Sequence, residues 1–121
     1  MNLFDASALL VLLQSEPGAD VVERELAAGG AVSAVNWSEA AQKVRGAGGA
    51  WDLGRALLLS YGLTVEPVLV ADAERAARLW QRGTGLSLAD RLCLATAERL
   101  SATVWTADRA WGESAGIRQV R

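Results

Sequence analysis

Short strand-forming runs alternate with helical patterns along this chain, and an acidic residue stands at four of the junctions. Met1-Asn2-Leu3-Phe4 leads into Asp5, and Ala31-Val32-Ser33-Ala34-Val35 leads into Glu39. Asp90 opens the helical stretch Leu88–Leu100, and Thr103-Val104-Trp105-Thr106 leads into Asp108. Strands that alternate with helices over short connections imply a mostly parallel sheet covered on both faces. In such open α/β sheets, ligands bind where the carboxyl ends of the strands meet the following helices. Four carboxylates gathered there would repel strongly unless a cation joined them. The pattern therefore predicts a hard divalent metal bound by oxygen and chemistry on a phosphate.

The rest of the composition narrows that chemistry. At 121 residues and 51% hydrophobic, the chain is expected to form one domain, residues 1–121, with a sizeable core. A formal net charge of −2 gives no global basic field, so a polyanion would be held by local arginines and the bound cation. Histidine is absent, which excludes imidazole base catalysis, Ser-His-Asp triads and histidine-ligated zinc. The single lysine, Lys43, has no G-x-x-x-x-G-K-[ST] loop around it, which excludes a P-loop hydrolase. Leu9-Leu10-Val11-Leu12-Leu13 is too short to span a bilayer, follows Asp5 and lacks a basic flank, so no membrane association is expected. The lone Cys93 has no partner for an internal disulfide, which fits a reducing cytoplasm.

The chain reads as strand 1–4, helices over 6–13 and 19–28 punctuated by Pro17-Gly18, and strand 31–35. Helices near 37–45 and 51–61 follow, with Gly46 ending the first and Gly62 the second, then a short strand at 63–65. Residues 69–82 place Val70, Ala73, Ala77 and Trp80 at helical spacing as an apolar face. Helix 88–100 is apolar nearly all round, which predicts burial on more than one side. Strands at 103–106 and 117–120 complete the pattern.

Each acid also fits a purely structural role. Asn36 and Glu39 match a capping box with Asn36 as N-cap, and Ser87 with Asp90 matches the same template. Asp5 and Asp108 suit the N-caps of the helices they precede. Capping and metal binding are compatible, because helix N-terminal dipoles favour the ionised carboxylate that a metal needs.

Leu3-Phe4-Asp5-Ala6-Ser7-Ala8, Asn36-Trp37-Ser38-Glu39, Ser87-Leu88-Ala89-Asp90-Arg91-Leu92-Cys93-Leu94-Ala95 and Thr106-Ala107-Asp108 resemble the successive motifs of PIN-domain ribonucleases. Among these they are most similar to the VapC toxins of toxin–antitoxin pairs. The resemblance runs from the first strand to the last aspartate, with no acidic position missing. It implies an α/β/α sandwich around a mostly parallel sheet and a Mg²⁺-dependent endoribonuclease site, in which Mn²⁺ substitutes. It also implies hydrolysis that leaves a 5′-phosphate and a 3′-hydroxyl, a cognate VapB-like antitoxin, and homodimers.

Carboxylate oxygens suit Mg²⁺ or Mn²⁺. Asp5, Asp90 and Asp108 are the expected metal ligands, and Glu39, on a longer side chain, is expected to orient water, bind a second ion or assist proton transfer. The hydroxyls of Ser7 and Thr106 are either supports for the site or local caps. Arg91, Arg109, Lys43 and Arg45 are candidates for RNA contact, although Glu39 and Lys43 also have the spacing of a helix-surface ion pair. Arg75, Arg78 and Arg82 form a basic stripe that reads as a solvated face. Trp105 and Trp80 read as core, and Trp37 as core or a base-stacking platform. Cys93 reads as a small hydrophobe. Trp51, Leu53, Leu57, Leu58, Leu59 and Tyr61 cover more of their helix than one core face needs, which predicts a docking groove or deep burial.

Two other readings compete. A receiver-like phosphotransfer domain needs a mid-chain phosphoacceptor aspartate and a late lysine, and a dehalogenase-like phosphatase needs an aspartate where Ser7 stands. A non-catalytic protein-binding module would use the four acids only as caps.

Overall fold

The computed structural model describes residues 1–121. It contains β1 (Asn2–Phe4), α1 (Ala6–Leu13), α2 (Ala19–Ala27), β2 (Ala31–Ser33), α3 (Ala34–Gly46) and α4 (Trp51–Ser60). These are followed by β3 (Thr64–Glu66), α5 (Val70–Arg78), α6 (Leu88–Leu100), β4 (Thr103–Thr106), a 3₁₀ turn (Arg109–Trp111) and β5 (Ile117–Gln119). The five strands form one sheet in the order β3-β2-β1-β4-β5, every pair parallel. The chain thus starts at the centre, builds outward through β2 and β3, then crosses back to lay β4 on the other side of β1. The order reverses between β1 and β4, and a crevice opens at the carboxyl ends of such a pair. Receivers have the order 2-1-3-4-5, so the receiver reading is set aside.

Adjacent strand residues point to opposite faces, and this alternation divides the core. Phe4 and Val32 pack with Leu9, Val11, Val22, Leu26 and Leu58 under α1, α2 and α4. Leu3, Ala31 and Val104 turn the other way, against Cys93 and Ala97 of α6. Helix α6 also packs on α5 through Leu92, Ala95 and Ala76, so it is buried on two sides, as its composition predicts. At the turn into α2, Gly18 has φ +101°, and a Cβ there would meet the Val120 carbonyl oxygen at 2.7 Å. Only glycine combines that backbone with so close an approach.

Two local expectations are overturned. Helix α3 begins at Ala34, capped by the Ser33 hydroxyl, which accepts from the Asn36 amide at 3.1 Å. Asn36 is therefore not the N-cap: it lies inside the first turn and is 1% exposed. Burying its amide among side-chain partners goes with a helix start three residues upstream, so the strand expected over 31–35 ends at Ser33, a good N-cap residue.

The second correction concerns α5, which ends at Arg78 and does not bury the expected stripe. Val70 is 76% exposed and Trp80 54%, and the Arg82 guanidinium lies 5.8 Å from the Trp80 ring centroid. Asp72 and Ala76 are the buried residues of α5. The Arg99 guanidinium on α6 donates to Asp72 at 2.9 Å, and this pairing rotates the helix away from its most apolar face. Trp105 is half-buried, its indole N–H bonded to Asn2 Oδ1 at 3.0 Å.

Candidate metal-binding active site

Asp5 directly follows β1, and its backbone N–H still pairs with the Trp105 carbonyl of β4 at 3.1 Å. Its side chain caps α1, Oδ1 accepting from the Ala8 amide at 2.8 Å. Two hydroxyls complete its coordination: Ser7 donates to Oδ1 at 2.7 Å and Thr106, from the end of β4, to Oδ2 at 2.5 Å. Ser7 in turn accepts from the Ala107 amide, and Thr106 from the Asp108 amide. These two hydroxyls join the carboxyl ends of the central strands, which gives Ser7 and Thr106 a role beyond local capping.

Asp5 is 4% exposed. Burial raises its pKa, the Thr106, Ser7 and Ala8 hydrogen bonds oppose the rise, and the nearby Asp90 charge adds to it. Asp90 sits in the first turn of α6, where it and Ser87 form a reciprocal capping box. Asp108 caps the 3₁₀ turn through Oδ1, which accepts from the Ala110 amide at 2.9 Å. Glu39 lies well inside α3 and caps nothing; its Oε1 accepts from the Asn36 side-chain amide at 2.7 Å.

The four acids line one small cavity of about 80 Å³, together with Ala6, Ser7, Asn36 and Lys43. None of them forms an ion pair. No three acidic side chains stand close enough to close on a single ion as arranged. Like charges and separate capping bonds hold them apart. The four acids nonetheless fit a hard cation: each offers carboxylate oxygen, and one oxygen each of Glu39, Asp90 and Asp108 accepts no protein hydrogen bond. Cys93 lies buried beneath the site, its thiol pKa pushed up by burial first and then by Asp5, Asp90 and Glu39. It remains a thiol and packs as a small hydrophobe.

The basic candidates separate. Lys43 lines the acidic cavity and makes no ion pair with Glu39, so the expected helix-surface pair is not formed. Arg91 points instead toward α5, donating to the Ala76 carbonyl at 2.8 Å. Neighbours in a helix diverge by about 100°, so following Asp90 in sequence does not place Arg91 beside it in space. Arg45 is exposed on the last turn of α3 and does not line the cavity. Arg109 lines a separate polar cleft of about 310 Å³ with Gly112, Glu113, Gln119 and Arg121. Trp37 packs edge-on against Trp51, ring centroids 5.0 Å apart, and joins the core.

Sequence reasoning missed Asn36 as a cavity residue. Its signal was the spacing of three to Glu39, read there as a cap. A second feature lies between α1, α3 and α4. Leu53 is 74% and Leu57 42% exposed, and with Leu13 and Val44 they line an apolar groove of about 370 Å³. The surplus apolar surface of α4 is thus a groove and not deep burial.

No curated protein matches this chain. The structure resembles a chain of a toxin–antitoxin complex from Klebsiella pneumoniae, with a TM-score of 0.76 at 19% identity over 100% of this chain and 98% of that one. The family model described as PIN domain matches residues 3–116.

Proposed function

The chain belongs to the PIN-domain family, and from that premise we propose that residues 1–121 form a single-domain, Mg²⁺-dependent endoribonuclease. Mn²⁺ substitutes in this reading, and the protein is the VapC-type toxin of a toxin–antitoxin pair. PIN domains are generally nucleases and usually use divalent metals. The observation that carries the proposal is the convergence of Asp5, Glu39, Asp90 and Asp108 on one cavity without a single ion pair among them. A protein that needed these acids only as caps would have no use for Glu39, which caps nothing.

Asp5, Asp90 and Asp108 would hold the cation. A bound divalent ion supplies positive charge beside the scissile phosphate and makes water a better nucleophile at neutral pH. Ser7 and Thr106 fix both oxygens of Asp5, so that carboxylate is oriented before any ligand arrives. Glu39, with Oε1 held by Asn36, presents Oε2 to orient the attacking water and take its proton. Without histidine, proton transfer falls to carboxylates. Lys43 offers a cation to the RNA backbone at the cavity mouth, and Arg109 extends this beyond Asp108. Cleavage leaves a 5′-phosphate and a 3′-hydroxyl.

The likeness of the fold to a chain of the Klebsiella pneumoniae toxin–antitoxin complex supports an antitoxin partner here. The Leu13–Val44–Leu53–Leu57 groove supplies apolar surface for a VapB-like segment. No helix is long and apolar enough to cross a membrane. We assign the protein to the cytoplasm, where RNA and antitoxin are met, acting as a homodimer. The test is expression in growing cells with mapping of new RNA 5′ ends, beside purified protein assayed with and without chelator. Site-specific 5′ ends that vanish on Asp90→Ala support the reading; cleavage that persists in EDTA opposes it.

A further inference from the structure

We infer that Asn36 is a positioning residue, holding Glu39 in the one orientation that turns its free oxygen toward the acidic cavity; the inference rests on the nuclease reading above. Asn36 is 1% exposed, lines the cavity and faces in Glu39 a carboxylate that can only accept. The Ser33 hydroxyl donates to Asn36 Oδ1 at 2.9 Å, while the same hydroxyl accepts the Asn36 backbone N–H at 3.1 Å. The Asn36 side-chain N–H₂ then donates to Glu39 Oε1 at 2.7 Å. This chain of bonds has one polarity. Reversing the amide would set Oδ1 against the Glu39 carboxylate and take from the Ser33 O–H the acceptor it has in Asn36 Oδ1.

Glutamate has more rotamer freedom than aspartate, and Glu39 is the one site acid without a capping bond. It is held instead by a buried side chain one turn earlier, on the same face of α3. Like charges from Asp5, Asp90 and Asp108 would otherwise drive the Glu39 carboxylate out of the cavity. Burial of Asn36 makes its donor costly to leave unmet and therefore a stiff restraint. Fixed orientation of a reacting group acts on the chemical step more than on substrate affinity.

The test is a double-mutant cycle on RNA cleavage by the Mn²⁺-supplied protein, joined to side-chain amide exchange read by ¹⁵N NMR. Asn36→Ala should lower kcat about 10- to 100-fold, the range for lost orienting partners. KM for RNA should stay within about threefold, since ground-state binding is not removed. On a Glu39→Ala background, Asn36→Ala should cost no more than about a further twofold, because the residue acts through Glu39. Asn36→Asp keeps the acceptor for Ser33 and the shape of the side chain, so it should fold; it should lose kcat as the alanine variant does. The Asn36 amide protons should exchange slowly in the wild type and faster in Glu39→Ala. Equal losses on both backgrounds, a shift in KM alone, or full kcat in Asn36→Asp would overturn the inference. A wild-type protein that cuts no RNA overturns the nuclease reading instead, and the exchange measurement then decides the Asn36–Glu39 pairing alone.

Discussion

Asp5 and Asp72 are both buried carboxylates at helix starts, 4% and 2% exposed, yet the chain surrounds them with opposite partners. Asp72 accepts from the Leu69 amide at 3.0 Å and from the Arg99 guanidinium at 2.9 Å. Desolvation alone would raise its pKa, but the Arg99 and Leu69 hydrogen bonds overcome that and lower it. Asp5 receives hydroxyls and a backbone amide, faces Asp90, and has its pKa raised. One acid is neutralised within the fold and locks two helices together. The other is left unneutralised where the strand order reverses, which is where this topology places a ligand. Asp72, which the fold uses for itself, is paired with a cation; Asp5, which we propose as a metal ligand, has no cationic partner within the fold.

The largest effect should separate the two regions by activity. Asp5→Asn or Asp90→Ala should lower RNA cleavage about a thousandfold or more, because a metal-clamped site supplies several kcal/mol of charge stabilisation. Asp72→Ala should leave kcat within a small factor. Next in size is stability, and here the order reverses. Arg99→Ala strands a buried carboxylate and should lower Tm more than Asp72→Ala does. Asp72→Ala frees a guanidinium that is already 26% exposed and should cost about 1–3 kcal/mol, mainly through the orphaned Leu69 amide. Chemical denaturation of the three proteins decides this order.

The pH dependence of stability sharpens the contrast, because the signs are opposite. The folded pKa of Asp72 lies below its unfolded value. Its contribution is therefore present above the unfolded pKa of about 3.9 and lost as pH falls through the folded value. Asp72→Asn should flatten the acid limb of the stability curve below about pH 4. The folded pKa of Asp5 lies above its unfolded value, so its contribution is present at low pH and lost as pH rises through the folded value. Asp5→Asn should accordingly raise Tm at neutral pH in chelator, and the gain should shrink when Mn²⁺ is added. The smallest effect belongs to Arg75 and Glu98, which join the same two helices at 2.7 Å with side chains 39% and 52% exposed. Arg75→Ala should shift Tm hardly at all, and less still at high salt. A large loss there would mean that burial is not what separates these pairs.

Much of this architecture was legible because it is local. Helices 6–13 and 88–100 and strand 103–106 were readable to the residue, their ends marked by Asp5, Ser87 and an apolar four-residue run. The convergence of the acids was legible too, since strand–helix alternation dictates where strand ends meet. The rest depended on partners distant in sequence. The buried face of α5 is set by Arg99, 27 residues from Asp72, and no helical periodicity in 69–82 carries that information. The start of α3 was misplaced because 31–35 reads as one strand, which puts Ser33 inside it and leaves Asn36 as the cap; the structure ends the strand at Ser33, caps the helix there and buries Asn36 beside Glu39. Arg91 was misjudged by adjacency, because its reach is decided by the packing of α5 on α6.

The claim on which the rest depends is that the four acids form a divalent-cation site. Titrating Mn²⁺ into the purified wild-type protein and into an Asp5→Asn/Asp90→Ala double variant, followed by the loss of free Mn²⁺ EPR signal, measures it directly. The expected result is saturable binding by the wild type and none by the variant, with both proteins folded. Equal Mn²⁺ binding by the two would contradict the account.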